Sequence, residues 1–255
     1  MKRKGISTSI IRANIEKIDS LPSADLYELT FFKSCDIDKL KKFLSKRGKP
    51  FGIHLPFVLR YLLTHPQPTI LDDVVRNDTY DTNLESAQIA KKLGAEYVIL
   101  HFPSAKQKDS WKNNRKLFEE CTEHIEKLNG IVNVRIENVY MNDDFHSAED
   151  YIWVLKESKT KMCIDIGHLL IDSKIYSFDA AEFIEKLADY TVEFHIYYAD
   201  IVTYEKCHHA PWGDSKEFRK LLEILDQFDS ADFVIEPSND CPEKLPLLLN
   251  FWEGL

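Results

Sequence analysis

Eight short apolar runs punctuate the chain: Gly5–Ile10, Leu26–Phe32, Phe51–Leu55, Tyr97–Phe102, Val132–Asn138, Met162–Ile166, Thr191–Tyr197 and Asp232–Glu236. Each is rich in Val, Ile, Phe or Tyr, which is how strands buried on both faces read. Amphipathic stretches fill the intervals: Asp36–Lys46, Asp81–Leu93, Trp111–Leu128, His146–Lys156, Phe178–Leu187, Ser215–Phe228 and Pro242–Trp252. Their apolar residues recur three and four apart, the spacing of one helix face. Asp36, Asp143 and Asp179 stand where helices should begin, and Leu93-Gly94-Ala95 ends one with a left-handed glycine. Eight strands alternating with helices over 255 residues predict one (β/α)8 barrel, residues 1–255 forming a single domain. The rival, a doubly wound open sheet, carries a Gly-rich phosphate turn after its first strand. Here GISTSII is followed by Arg12-Ala13-Asn14 instead.

Hydrophobic residues make up 44% and charged residues 29%, which excludes a disordered or collagen-like chain. No apolar run approaches the ~18 residues of a membrane span, and the basic Met1–Gly5 segment leads into a strand rather than a signal region. Five scattered cysteines, Cys35, Cys121, Cys163, Cys207 and Cys241, do not form a disulfide framework, and a cytoplasmic location is expected. The formal charge of −9 argues against duplex DNA as a general partner, because phosphate contacts need Lys and Arg. A local basic face, Lys106, Lys108, Lys112 and Arg115, keeps nucleic acid open.

The reactive residues gather at one place in the pattern. Four of the nine histidines stand at or just past the C-terminal end of an apolar run: His54 in FGIHLPF, His101 in VILHFP, His168 in CIDIGHLL and His195 in EFHIYYAD. His209 follows in CHHAPWGD. Glu137 in VRIENV, Asp165 in CIDIGH and Glu236 in FVIEPS occupy equivalent positions. In a barrel those strand ends converge on one mouth. Imidazoles and carboxylates together are the ligand set of Zn, Mn or a similar divalent ion. A bound cation is also the simplest way to keep three buried carboxylates ionised. His65, His124 and His146 lack that placement and read as surface residues. Phe57, Phe102 and Trp212, near strand ends, are candidates to cover the apolar face of a sugar. The segment Phe57–Tyr80 is expected to be mixed loop and helix, forming a lid or rim.

In their order and spacing, HLPF, LHFP, IENV, DIGH, FHIYYAD, HAPWGD and VIE resemble the xylose-isomerase-like TIM-barrel superfamily, which joins sugar isomerases and epimerases to type-IV apurinic endonucleases. The resemblance implies a principal metal on Glu137, Asp165, His195 and Glu236. It implies a second on His54, His101 and Glu137, and ligands of a third at His168 and His209, so one to three ions in all. The third ligand of that last site is an Asp in the endonucleases; Cys207 stands there instead, and a thiolate can bind zinc. As an isomerase or epimerase the chain would use Glu137 and Glu236 for proton transfer next to a carbonyl, with His168 contacting the substrate. Many ketose epimerases place an Arg six residues after the strand-seven His, where this chain has Ile201. The alternative the resemblance implies is a metal-dependent phosphodiester hydrolase.

Overall fold

The computed structural model describes residues 2–57, 66–238 and 240–255. All eight runs are strands: β1 (Arg3–Ser7), β2 (Leu26–Leu29), β3 (Phe51–His54), β4 (Tyr97–His101), β5 (Asn133–Glu137), β6 (Lys161–Asp165), β7 (Thr191–Ile196) and β8 (Asp232–Ile235). They pair in parallel in sequence order, and β8 closes on β1 to make the barrel. Helices α1 (Ile37–Arg47), α2 (Asp73–Leu93), α3 (Arg115–Asn129), α4 (Ala148–Ser158), α5 (Ile166–Ile175), α6 (Ala180–Leu187), α7 (Ile201–Lys206), α8 (Lys216–Leu225) and α9 (Leu245–Gly254) connect the strands or follow β8. After β1 the connection is two 3-10 turns, Thr8–Ile11 and Ile15–Ser20, instead of an α-helix. No helix among the described residues is long and apolar enough to cross a membrane.

The core follows the two periodicities. In α3, Leu117, Phe118, Cys121, Ile125 and Leu128 are buried against the barrel, each such large side chain contributing ~1.5–3 kcal/mol on burial. Asp179 caps α6 through the Ala181 and Glu182 amides. Asp143, expected to cap, lies upstream of α4, whose cap is Ser147 in a capping box with Asp150. Helix α2 begins at Asp73, earlier than the expected Asp81, because Asp72 accepts from the Val74 and Val75 amides. It ends at Gly94, whose φ of +86° only glycine adopts freely. Of the proposed rim Phe57–Tyr80, residues 58–65, His65 among them, lie outside the described residues.

The N-terminal end of the barrel is plugged by charge. Arg3 Nε and Nη2 donate to the two Asp232 carboxylate oxygens at 2.7 Å each. Arg135 Nη1 lies 2.7 Å from both Glu193 Oε2 and Asp232 Oδ2, and its guanidinium sits 3.4 Å from the centre of the Tyr97 ring. Gly52 makes room for that ring, since a Cβ there would fall 2.2 Å from it.

Candidate active site

At the other end of the barrel the strand register collects the residues singled out above. His101 on β4 is the direct partner of Glu137 on β5, and Asp165 on β6 is the partner of His195 on β7. Side chains of such partners lie on the same sheet face. Ligand atoms of Glu137, Asp165, His195 and Glu236 all fall within 4.8 Å of one another, and so do those of His54, His101 and Glu137. Glu137 belongs to both groups. His195 Nδ1 is 3.4 Å from Glu137 Oε1 and 3.4 Å from Glu236 Oε2. His54 Nε2 lies 2.9 Å and His101 Nε2 3.3 Å from Glu137 Oε2.

These contacts leave the donor set unsatisfied. Both Glu137 oxygens, Asp165 Oδ2 and His195 Nδ1 are buried without a hydrogen-bond partner. Orphaned polar atoms are rare in protein interiors, and here they converge. Among the described residues no Lys or Arg forms an ion pair with Glu137, Asp165 or Glu236. A divalent cation would satisfy all four orphaned atoms at once, so these residues fit a metal.

The surroundings aim the ligands. Asp165 Oδ1 accepts the His168 amide at 2.7 Å, capping α5 and leaving Oδ2 free. Asn138 clamps β5 to β6: its side chain accepts the Asp165 amide at 2.8 Å and donates to the Asp165 carbonyl at 3.0 Å. Ser7 on β1 donates to Glu236 Oε1 at 3.2 Å, leaving Oε2 to face His195.

Proton affinities reflect the crowding. Burial opposes charge on His54, but Glu137 beside it prevails and pushes the imidazole up to about 9. Burial likewise opposes ionisation of Glu137, yet His101, His195 and His54 hold it well below the usual carboxylate range. Burial and then the neighbouring charges raise Asp165 well above that range. Glu236 rises to about 7, chiefly through burial.

Above this floor opens a cavity of about 190 Å³, lined among others by Phe31, His54, His101, Tyr140, His168, Tyr204, His209 and Glu236. His168 Nδ1 lies 2.9 Å from the Asn138 carbonyl, and His209 Nδ1 lies 2.9 Å from that of Glu236. A carbonyl only accepts, so both rings carry Nδ1–H and keep Nε2 for another partner. Burial drives His168 down to about 3, and it drives His209 well below its ordinary value. The two rings stand 6.2 Å apart at their centroids.

Several expectations are corrected. Cys207 is not available as a ligand, because its sulfur is bonded to Cys241, 34 residues on. Phe57 and Phe102 do not face the cavity. Both are fully buried, Phe57 against Phe32 and Phe102 against Trp111 and Phe145. Trp212 packs on Phe218 and Phe251. The aromatic walls are instead Phe31, Tyr140 and Tyr204. Phe31 sits at φ +43° and is 36% exposed, a left-handed conformation that is an outlier for a bulky side chain and is found where surroundings impose it. His124 is buried and stacked on Tyr80 at 4.0 Å, not on the surface. Of the basic residues after β4, Lys112 pairs with Asp150 and Arg115 with Glu119.

Residues 20–250 match the family described as Xylose isomerase-like TIM barrel, and the chain belongs to that family. Solved structures share its fold. A D-tagatose 3-epimerase-like protein is 17% identical with a TM-score of 0.67, over 98% of this chain and 96% of that one. An L-ribulose 3-epimerase is 16% identical with a TM-score of 0.70, over 99% and 87%. Endonuclease IV from Thermus thermophilus is 13% identical with a TM-score of 0.65, over 99% and 100%. No curated protein matches.

Proposed function

We propose that this member of the xylose isomerase-like TIM-barrel family is a divalent-metal-dependent isomerase or epimerase of a sugar or sugar phosphate. The observation that carries the reading is the glutamate pair. Glu137 from β5 and Glu236 from β8 each present an oxygen 3.4 Å from the same His195 nitrogen. Two carboxylates from well-separated strands, meeting beneath a cavity, suit removal of a proton on one side of a carbon and its return on the other.

Glu137, Asp165, His195 and Glu236 would hold the principal ion, Zn or Mn, and His54 and His101 would join Glu137 at a second. When bound, the metal supplies a Lewis acid for the substrate oxygens. Glu236 lines the cavity and has a proton affinity near neutrality, the range in which a carboxyl gives and takes protons readily. It takes the proton from the carbon beside the carbonyl, and the electron pair moves to the carbonyl oxygen. A hydroxyl oriented by the ionised Glu137 gives a proton to the opposite face, and the proton held by Glu236 returns to that oxygen through solvent. His168, neutral and with Nε2 unengaged by Asn138, accepts a hydrogen bond from a substrate hydroxyl. Phe31, Tyr140 and Tyr204 present aromatic faces to the carbohydrate.

A phosphodiester hydrolase is the second reading, favoured by the convergence of His54 and His101 on Glu137. The bonded Cys207 and the internally paired Lys112 and Arg115 weigh against it. The discriminating experiment loads the protein with Mn or Zn and incubates it with a panel of ketoses and their phosphates in deuterated water. Incorporation of deuterium at the carbon next to the carbonyl supports the isomerase reading. Absence of exchange together with cleavage of an abasic duplex overturns it in favour of the hydrolase.

A further inference from the structure

We propose that Glu28 is a positioning residue that fixes which nitrogen of His195 meets the metal. The inference rests on the reading above that His195 is a ligand. Glu28 lies on β2, its side chain fully buried inside the barrel beneath the mouth. His195 Nε2 is 3.2 Å from its Oε1 and 3.3 Å from its Oε2. On the far side of the ring, Nδ1 faces Glu137 and Glu236 and has no hydrogen-bond partner. An ionised carboxylate only accepts, so Nε2 carries a hydrogen whatever the charge of the ring. The Nδ1 lone pair is then the one offered to a cation. The opposite arrangement would set a lone pair against Glu28.

Glu28 is itself held in place. The Tyr97 hydroxyl lies 3.4 Å from Glu28 Oε2 and 2.8 Å from Glu193 Oε1, and Arg135 grips the other oxygen of Glu193 at 2.7 Å. A line of buried side chains thus ties the ring to the rigid N-terminal plug of the barrel. A carboxylate that orients a metal-bound imidazole also raises its basicity, and losing such a partner typically costs ~10–100-fold in metal affinity. Two competing arrangements exist among the described residues: ligand atoms of Cys163, Glu193 and His195 lie within 4.8 Å of one another, and so do those of Glu28, His54, His195 and Glu236, where Glu28 Oε1 is buried without a hydrogen-bond partner. Glu28 would then be a ligand itself, and His195 would have to coordinate through Nε2.

The test combines zinc titration with nitrogen NMR of labelled histidine. In the wild type, His195 shows Nε2–H without metal and keeps it when zinc is bound, the coordination shift falling on Nδ1. In Glu28→Gln, zinc affinity falls ~10–100-fold while the melting temperature of the metal-free protein stays within a few degrees of the wild type. Glu28→Asp, which keeps the charge but withdraws it, falls between the two and serves if Glu28→Gln does not fold. A coordination shift on Nε2, or wild-type zinc affinity in Glu28→Gln, overturns the proposal. A wild type that binds no zinc or manganese overturns instead the metal reading on which it rests, and an unprotonated Nε2 in the metal-free protein overturns the role of Glu28 by itself.

Discussion

At the N-terminal end of the barrel, Glu193 and Asp232 are met by Arg3 and Arg135 at 2.7 Å. At the C-terminal end, no guanidinium or ammonium among the described residues meets Glu137, Asp165 or Glu236; imidazoles, the Ser7 hydroxyl and the His168 amide do, and four of the buried ligand atoms there have no partner. The same interior thus treats buried acid in two ways. Guanidinium meets the lower cluster, Arg3 as a fork on Asp232 and Arg135 through one nitrogen shared between Glu193 and Asp232. The upper cluster has no such partner among the described residues, and its buried ligand atoms face one another. A closed cluster serves stability, whereas an open one is what a site that trades stability for function would show. Glu28 and Tyr97 lie between them and connect the two.

The comparison can be broken at either end. The largest effect is expected at the mouth: Glu236→Gln should lower deuterium exchange into a ketose ~10²–10⁴-fold, the usual worth of a general acid or base. Loss of metal without any change in exchange would remove that glutamate from the chemistry. At the closed end, Arg135→Met leaves Glu193 buried without its guanidinium and should destabilise the fold by ~3–5 kcal/mol in urea unfolding. A cost below about 1 kcal/mol would mean that the plug is incidental. Saturation with metal at 100 times its Kd should raise stability by ~2.7 kcal/mol, and the gain should vanish in Asp165→Asn.

The pH response has a definite sign. His54 is raised from 6.5 to about 9 in the folded protein. Its contribution is therefore complete below pH 6.5 and is lost as pH rises through about 9. The metal-free protein should lose melting temperature across that window, and His54→Gln should flatten the loss. Smallest of all is the expected effect of Cys207→Ser on zinc affinity. The Cys207 sulfur is engaged by Cys241, so the affinity should not move.

Strand order and the mouth were legible because most of the reactive residues end an apolar run or stand just past one, and parallel closure brings such ends together. Glu28 and Glu193 were not, because each sits inside a run, in LYEL and TVEFHI, where nothing local distinguishes a buried acid from an exposed one. Helix α5 was missed because Ile166–Asp172 is buried all round, which leaves no amphipathic stripe to read. Asn138 stood beside Glu137 in IENV, and its clamp on Asp165 depends on a strand contact that spacing does not reveal. The Cys207–Cys241 pair depends in the same way on two loops that the barrel brings together. Phe57 and Phe102 follow His54 and His101 closely enough to suggest the mouth. Neither ring lines the cavity; both are packed in the core among other aromatic side chains.

The difference between the two ends is tested most directly by metal content together with metal-free stability in Glu137→Gln. The wild type, loaded with zinc or manganese and dialysed, should retain at least one ion per chain. Glu137→Gln should retain much less, and the fall in melting temperature of the metal-free protein as pH rises through about 9 should flatten with it, because Glu137 is the carboxylate that raises His54. A wild type that retains no ion, or a Glu137→Gln protein that unfolds in metal-free buffer like Arg135→Met, would show that the mouth is closed in the same way as the base and would contradict the account.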